Sequence, residues 1–191
     1  MSRVSRVAAV LLFAVALAGV AAAVPDQTLS YQGWLVDPFS RLPRTASLAV
    51  TIRIDRLTSD DDAKRLADLV SARGPRALGP ALEELEVGRL SIGDRYMMPI
   101  SYARRVRHND GEHLILIAQR AISFREIFRS SRSKDYPYTA IELDLDETGR
   151  GSGELIAAAR FLPRQDGTVD IDTLQFIAAR LMSVRQVEAE R

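Results

Sequence analysis

Between residues 45 and 55 the chain alternates strictly: Ala46, Leu48, Val50, Ile52 and Ile54 fall on one side, Thr45, Ser47, Thr51, Arg53 and Asp55 on the other. Successive side chains of a strand point to opposite faces, so this pattern commits the segment to a half-buried β-strand. Weaker versions of the pattern predict strands over 87–92, 97–107, 113–119, 137–145, 151–162 and 168–177, with 181–187 a further candidate. Asp110-Gly111 is a two-residue hairpin signal, and the "LILIA" run of 114–118 is apolar on both faces, as expected of a strand covered on each side.

Two helices are predicted between the first strand and the rest. Ser59 stands as an N-cap before Asp60, Asp61 and Asp62, whose charges suit the positive end of a helix dipole, and Ala63, Leu66, Ala67, Leu69 and Val70 give the apolar face. Gly74-Pro75 ends that helix, and a shorter one over 76–85 buries Leu78, Leu82 and Leu85 despite Gly79-Pro80. The expected fold is α+β: a mostly antiparallel sheet or partly closed barrel of about six or seven strands, with a helical pair near the N-terminus.

Residues 1–23 have the layout of a secretory signal, with Arg3 and Arg6, an apolar run from Val7 to Val20, and Ala21-Ala22-Ala23 before Pro25. Cleavage is expected near Ala23, giving a periplasmic or secreted bacterial protein. The competing reading is a retained anchor, since Val7 to Val24 carries no charge. Residues 24–44 contain three prolines and no sustained period, and are read as an irregular leader to a single domain over 45–191.

The segment holds two of the 26 basic residues, so its removal leaves 24 against 25 acidic ones. Such a balance argues against nucleic acid as a partner. The absence of cysteine excludes a disulfide framework, thiol redox chemistry, a Cys nucleophile and Cys-ligated zinc.

"RQDGTVDIDTLQFIAARLM", residues 164–182, imitates a calcium loop running into a helix. With Gly167 at the sixth position, Leu162, Arg164 and Thr173 occupy the first, third and twelfth, where oxygen ligands belong. A loop starting at Asp144 places Leu155 at the twelfth. Both read as turns between strands. A turn centred on Asp110-Gly111 would make His108 and His113 cross-strand neighbours, a weak pair of metal candidates without a third ligand. "GRGSGE" lacks the G-x-S-x-G elbow around Ser152, because Arg150 and Glu154 stand where glycines are needed. No catalytic residue and no cofactor is assigned.

The most unusual polar segment is "FREIFRSSRSKDYPYT", where Arg125, Arg129, Arg132 and Lys134 surround Glu126, Asp135 and Tyr136. Arg129, Arg132, Asp135 and Tyr136 are the candidate ligand residues, suited to an anion, against the alternative that they pin a long connection to the sheet. Ile122 to Leu155, with "ISFREI", "DYPYTAIEL" and "GRGSGEL", resembles a group of uncharacterised exported bacterial proteins, the similarity running from about residue 48 to 184. Gln119 and Ala121 replace an acid and a proline of that group, and Ser152 and Glu154 depart from its glycine turn. The resemblance implies export and a shared β-rich fold, without an activity. The expected function is an exported, non-enzymatic binding or interaction domain for a protein or an anionic ligand. The alternative is a hydrolase acting through two carboxylates, and membrane contact is expected only if the signal segment is retained.

Overall fold

The structure is a computed structural model and describes residues 28–36, 47–93, 96–108, 110–119, 136–166, 168–173 and 178–188. Residues 1–23, read above as a secretory signal, and the whole Arg-rich stretch 120–135 lie outside these residues.

In chain order the elements are β1 (Leu29–Val36), β2 (Ser47–Ile54), α1 (Asp60–Arg73), a 3-10 turn (Pro75–Ala77), α2 (Leu78–Glu83), β3 (Gly88–Ile92), β4 (Tyr96–His108), β5 (Gly111–Ala118), β6 (Tyr138–Asp146), β7 (Arg150–Pro163), β8 (Val169–Thr173) and β9 (Ala179–Val187). Every neighbouring pair is antiparallel. Strands β1 to β7 follow one another around a ring, β9 pairs with β7 on one side and β1 on the other, and the ring closes as an eight-stranded barrel with β8 as an extra strand on β7.

This corrects the expectation of an α+β domain with a partly closed sheet of six or seven strands. The decisive difference is β1, which lies inside the stretch read as an irregular leader. Its inward positions are Leu29, Tyr31, Gly33 and Leu35, and the glycine interrupts the apolar series while Trp34 places an apolar ring on the outside. Alternation is therefore hidden in the sequence, although the backbone is extended. β1 supplies the ladder that links β2 to β9, without which both would be open edges.

The lumen is filled. Tyr31, Leu35, Ile52, Ile54, Leu90, Ile92, Leu116, Leu143 and Leu181 are buried and belong to one continuous apolar cluster. Charged groups such as Arg53, Arg89, Glu154, Arg180 and Arg185 alternate with these inward residues along the strands, at exposed positions. That polarity is the reverse of a membrane-spanning barrel, whose outer wall carries the apolar band.

A second apolar cluster lies outside the wall, under the helices. Ala63, Leu66, Leu78 and Leu82 meet Tyr102, Ile117, Tyr138, Ala140, Ile156 and Phe161, with the Tyr102 and Phe161 rings 4.8 Å apart. This explains "LILIA": Leu114, Leu116 and Ala118 face the lumen, and Ile117 faces the helices. The chain reaches that position by a parting of main chain from sheet after β2. Thr58 donates its N–H to the Ala103 carbonyl at 2.8 Å and accepts the Ala103 N–H on Oγ1 at 2.9 Å, and Ser59 then caps α1 by accepting from Asp62 N at 3.1 Å. Arg104 holds Asp60 of the first turn at 2.7 Å.

The glycines of "GRGSGE" serve barrel closure. A Cβ on Gly151 would stand 1.8 Å from the Asp144 carbonyl oxygen, and one on Gly153 2.2 Å from that of Glu142, so only glycine lets β7 approach β6 this closely. Gly151→Ala is expected to lower stability by about 1–3 kcal/mol through overpacking. Gly79→Ala, whose added Cβ meets nothing within 4 Å, should raise it by about 0.5–1 kcal/mol. Urea denaturation of the two variants checks both signs.

Candidate functional site

A recess in the lumen against Tyr31, Gly33 and Val184 has no room for a water molecule. A larger cleft lies outside, where the helical layer meets the wall. Its volume is about 750 Å³; Pro75, Arg76, Gly79 and Glu83 line one side and Gln119, Pro137, Tyr138 and Arg160 the other. This falls within the range of small-molecule sites.

Local chemistry places each side. Gly74 takes φ +78° at the end of α1 and donates its N–H to the Val70 carbonyl at 2.8 Å, which turns the chain so that Pro75 and Arg76 begin a new helical turn. Pro80 falls in the first turn of α2, where its missing N–H breaks no helical hydrogen bond, so Gly79-Pro80 does not interrupt that helix. Gln119 Nε2 donates to the Leu82 carbonyl at 2.8 Å, tying the end of α2 to the end of β5.

Arg160 points outward from an otherwise apolar stretch of β7. Its guanidinium lies over the Tyr136 ring, 5.1 Å from the centroid, and 3.7 Å from Asp172 Oδ2 on β8. Asp172 also accepts a long hydrogen bond of 3.5 Å from the Tyr136 hydroxyl. Arg160 is thus held by an aromatic face and a carboxylate. Arg76 is exposed and has no carboxylate within ion-pair distance among the described residues. Tyr138 is buried, and burial first, then the charge of Glu83, pushes its hydroxyl up to about 12, so it remains a hydrogen-bond donor at the cleft wall at neutral pH.

Of the residues singled out from sequence, Tyr136 sits beside this cleft, stacked under Arg160. Arg129, Arg132 and Asp135 lie outside the described residues. The histidines are not cross-strand neighbours. His108 pairs with Gly111, and His113 with Val106, so Gly111 belongs to the β5 ladder instead of the turn. Gly111 is needed one step later, where its missing Cβ admits the Leu145 carbonyl oxygen at 2.1 Å from the ideal Cβ position. His113 Nδ1 instead meets Asp144 Oδ1 at 2.7 Å. Among the described residues no cluster of three His, Asp or Glu could hold a metal ion.

The two calcium-like stretches are strand connections with the same internal logic. Asp146 Oδ1 accepts from Thr148 N at 2.8 Å, Thr148 Oγ1 at 2.6 Å and Arg150 N at 3.1 Å. Asp166 Oδ1 accepts from Thr168 N at 3.0 Å and Thr168 Oγ1 at 2.6 Å. Each carboxylate is engaged by its own turn, as Asx-turn chemistry provides. The threonine hydroxyl is in each case the main reason that the carboxyl lies below its ordinary value. Asp170, bound by Arg164, is lowered as well, with that hydrogen bond as the largest cause.

Comparison of the chain with family models, curated proteins and solved structures finds no match.

Sequence reasoning missed Arg76, Glu83, Gln119 and Arg160 as site residues. A signal for two of them was present: Arg76 lies between Gly74-Pro75 and Gly79-Pro80, and Arg160 is the one charge in "LIAAARFLP". Neither pattern says which surface faces it.

The lowered carboxyls give a pH dependence of definite sign. A folded-state value below the unfolded one contributes stability that is complete at neutral pH and is lost as pH falls through the folded value, below about 4. Asp146→Asn and Asp166→Asn are each expected to reduce the urea midpoint at pH 7 and to narrow its difference from wild type by pH 2.5. Urea titrations across that range measure this.

Proposed function

We propose that this chain is an exported, non-enzymatic binding domain of the bacterial envelope or extracellular space, kin to the exported group that it resembles, and that its ligand is a small anion with an apolar portion. The signal-like composition of residues 1–23 supports export. The observation that carries the ligand assignment is the cleft with Arg76 on one lip and the fixed Arg160 on the other. Pro75, Pro137 and the Tyr138 ring offer apolar surface between them, while Gln119 and the Tyr138 hydroxyl supply polar contacts. Among the described lining residues Arg76 is the cation left for a ligand, since Arg160 already has Tyr136 and Asp172. A guanidinium at the mouth of a half-apolar cleft recognises carboxylate, sulfonate or phosphate.

Hydrolysis through paired carboxylates draws little support from this arrangement, which among the described residues brings one carboxylate, Glu83, to the cleft lining where that chemistry requires two. The test uses 8-anilinonaphthalene-1-sulfonate as the probe, because it joins a sulfonate to aromatic rings. The expected outcome is saturable binding of one probe per chain, followed by fluorescence, that weakens about tenfold in Arg76→Glu, the size of one lost charge-assisted contact. Arg76 is exposed, so the variant should keep its melting temperature. Equal binding in both proteins, or none in either, would overturn the assignment.

A further inference from the structure

Across the β7–β9 ladder Arg150 stands directly opposite Arg185. Like charges in that position oppose each other, and a sheet normally avoids the arrangement or neutralises it. Neither guanidinium has a carboxylate within ion-pair distance among the described residues. Asp146 is near enough to Arg150 to feel its charge, but Oδ1 of that carboxylate is engaged by the turn. On the other side of β9, Gln32 of β1 faces Arg185, and the next outward pair along the same two strands is Trp34 with Met182. Both of these large apolar side chains are 50% exposed. Arg180, at the far end of β9, is opposed by Glu154 and so adds little net charge.

The wall over β7, β9 and β1 therefore presents two facing guanidiniums, neither in an ion pair among the described residues, beside an exposed aromatic ring and a thioether. The strands belong to a closed barrel, so the surface they present is convex. We propose that this face docks on an anionic lipid surface. Arg150 and Arg185 take headgroup phosphates between them, and Trp34 and Met182 enter the boundary layer beneath. A phosphate offers several acceptor oxygens and relieves the repulsion of the pair. Tryptophan beside a cation is the combination that suits the boundary between headgroups and acyl chains. A second copy of the chain would set Arg against Arg and is disfavoured by the same charges.

Trp34 is the only tryptophan in the chain, so its emission reports this face directly. The protein is recovered from its host envelope, its N-terminus is fixed by mass, and wild type and variants are compared in the same processed form. Vesicles of phosphatidylglycerol with phosphatidylcholine should shift Trp34 emission to shorter wavelength and sediment the protein, while pure phosphatidylcholine vesicles should do neither. Binding should weaken steeply with added salt. The double variant Arg150→Gln/Arg185→Gln should lose at least about tenfold in partitioning, in line with the effect of two cations at an anionic surface, and Trp34→Ala should weaken sedimentation. Arg185→Gln alone should melt at or above the wild-type temperature, because it removes the repulsion.

Binding retained in the double variant would overturn the proposal, as would a marked loss of stability in Arg185→Gln. Binding to soluble poly-glutamate without vesicle binding would point to an acidic protein partner, and stabilisation by inorganic phosphate without vesicle binding to a small-anion site; each also overturns it.

Discussion

The antiparallel ladder between β1 and β9 joins the first described strand to the last, and the barrel depends on it. It runs from Ser30 opposite Val187 to Val36 opposite Arg180. Without it β2 and β9 would be the two edges of an open sheet, and the apolar residues of their inner faces would meet water. The ladder is not regular. Gly33 is opposed by an extra residue, where Ser183 takes a positive φ of 52° and the register moves between Gln32 and Trp34. The bulge increases local twist, which an eight-stranded ring requires to close, and it keeps Leu181 and Val184 both inward. A Cβ at Gly33 would lie 3.0 Å from a Val184 methyl carbon, so the glycine makes room for that packing.

Closure fixes where chemistry can occur. Because apolar side chains fill the lumen, polar function is displaced to the outer wall, and the wall has two unlike halves. On one, the helices cover Tyr102, Ile117, Ala140 and Ile156 and leave the cleft with Arg76 at their margin. On the other, β9, β1 and β2 carry Trp34, Met182 and a set of arginines in the open. The long β7 serves both, since its first half pairs with β9 and its second half with β8, whose Asp172 fixes Arg160 at the cleft. The two proposed surfaces thus share one long strand.

Much of the strand pattern was legible in the chain. The alternation of β2, the hairpin strands β4 and β5, and the cap at Ser59 follow from local rules, and the structure places them within a few residues of expectation. The double-sided burial of "LILIA" was readable for the same reason, since a strand with apolar residues on both faces needs two partners. The hairpin turn was misread by one residue, because Gly111 signals a turn when it serves instead to admit the backbone of β6. A one-residue change of register separated the histidines. Tyr136 was legible as a polar anomaly, whereas Arg76 and Arg160 were not, as their meeting depends on how far α2 and β7 lie from each other in space.

The sequence by itself determined periodicity, caps, turns and the absence of cysteine chemistry, because each depends on residues within a few positions of one another. Tertiary structure alone decided that the sheet closes, that a stretch with an inward glycine and an outward tryptophan is a strand, and that Arg150 faces Arg185. Those outcomes rest on pairings between residues 29–36 and 180–187, and between 150 and 185. The energy of such long-range ladders comes from the partner strand, which no local pattern specifies.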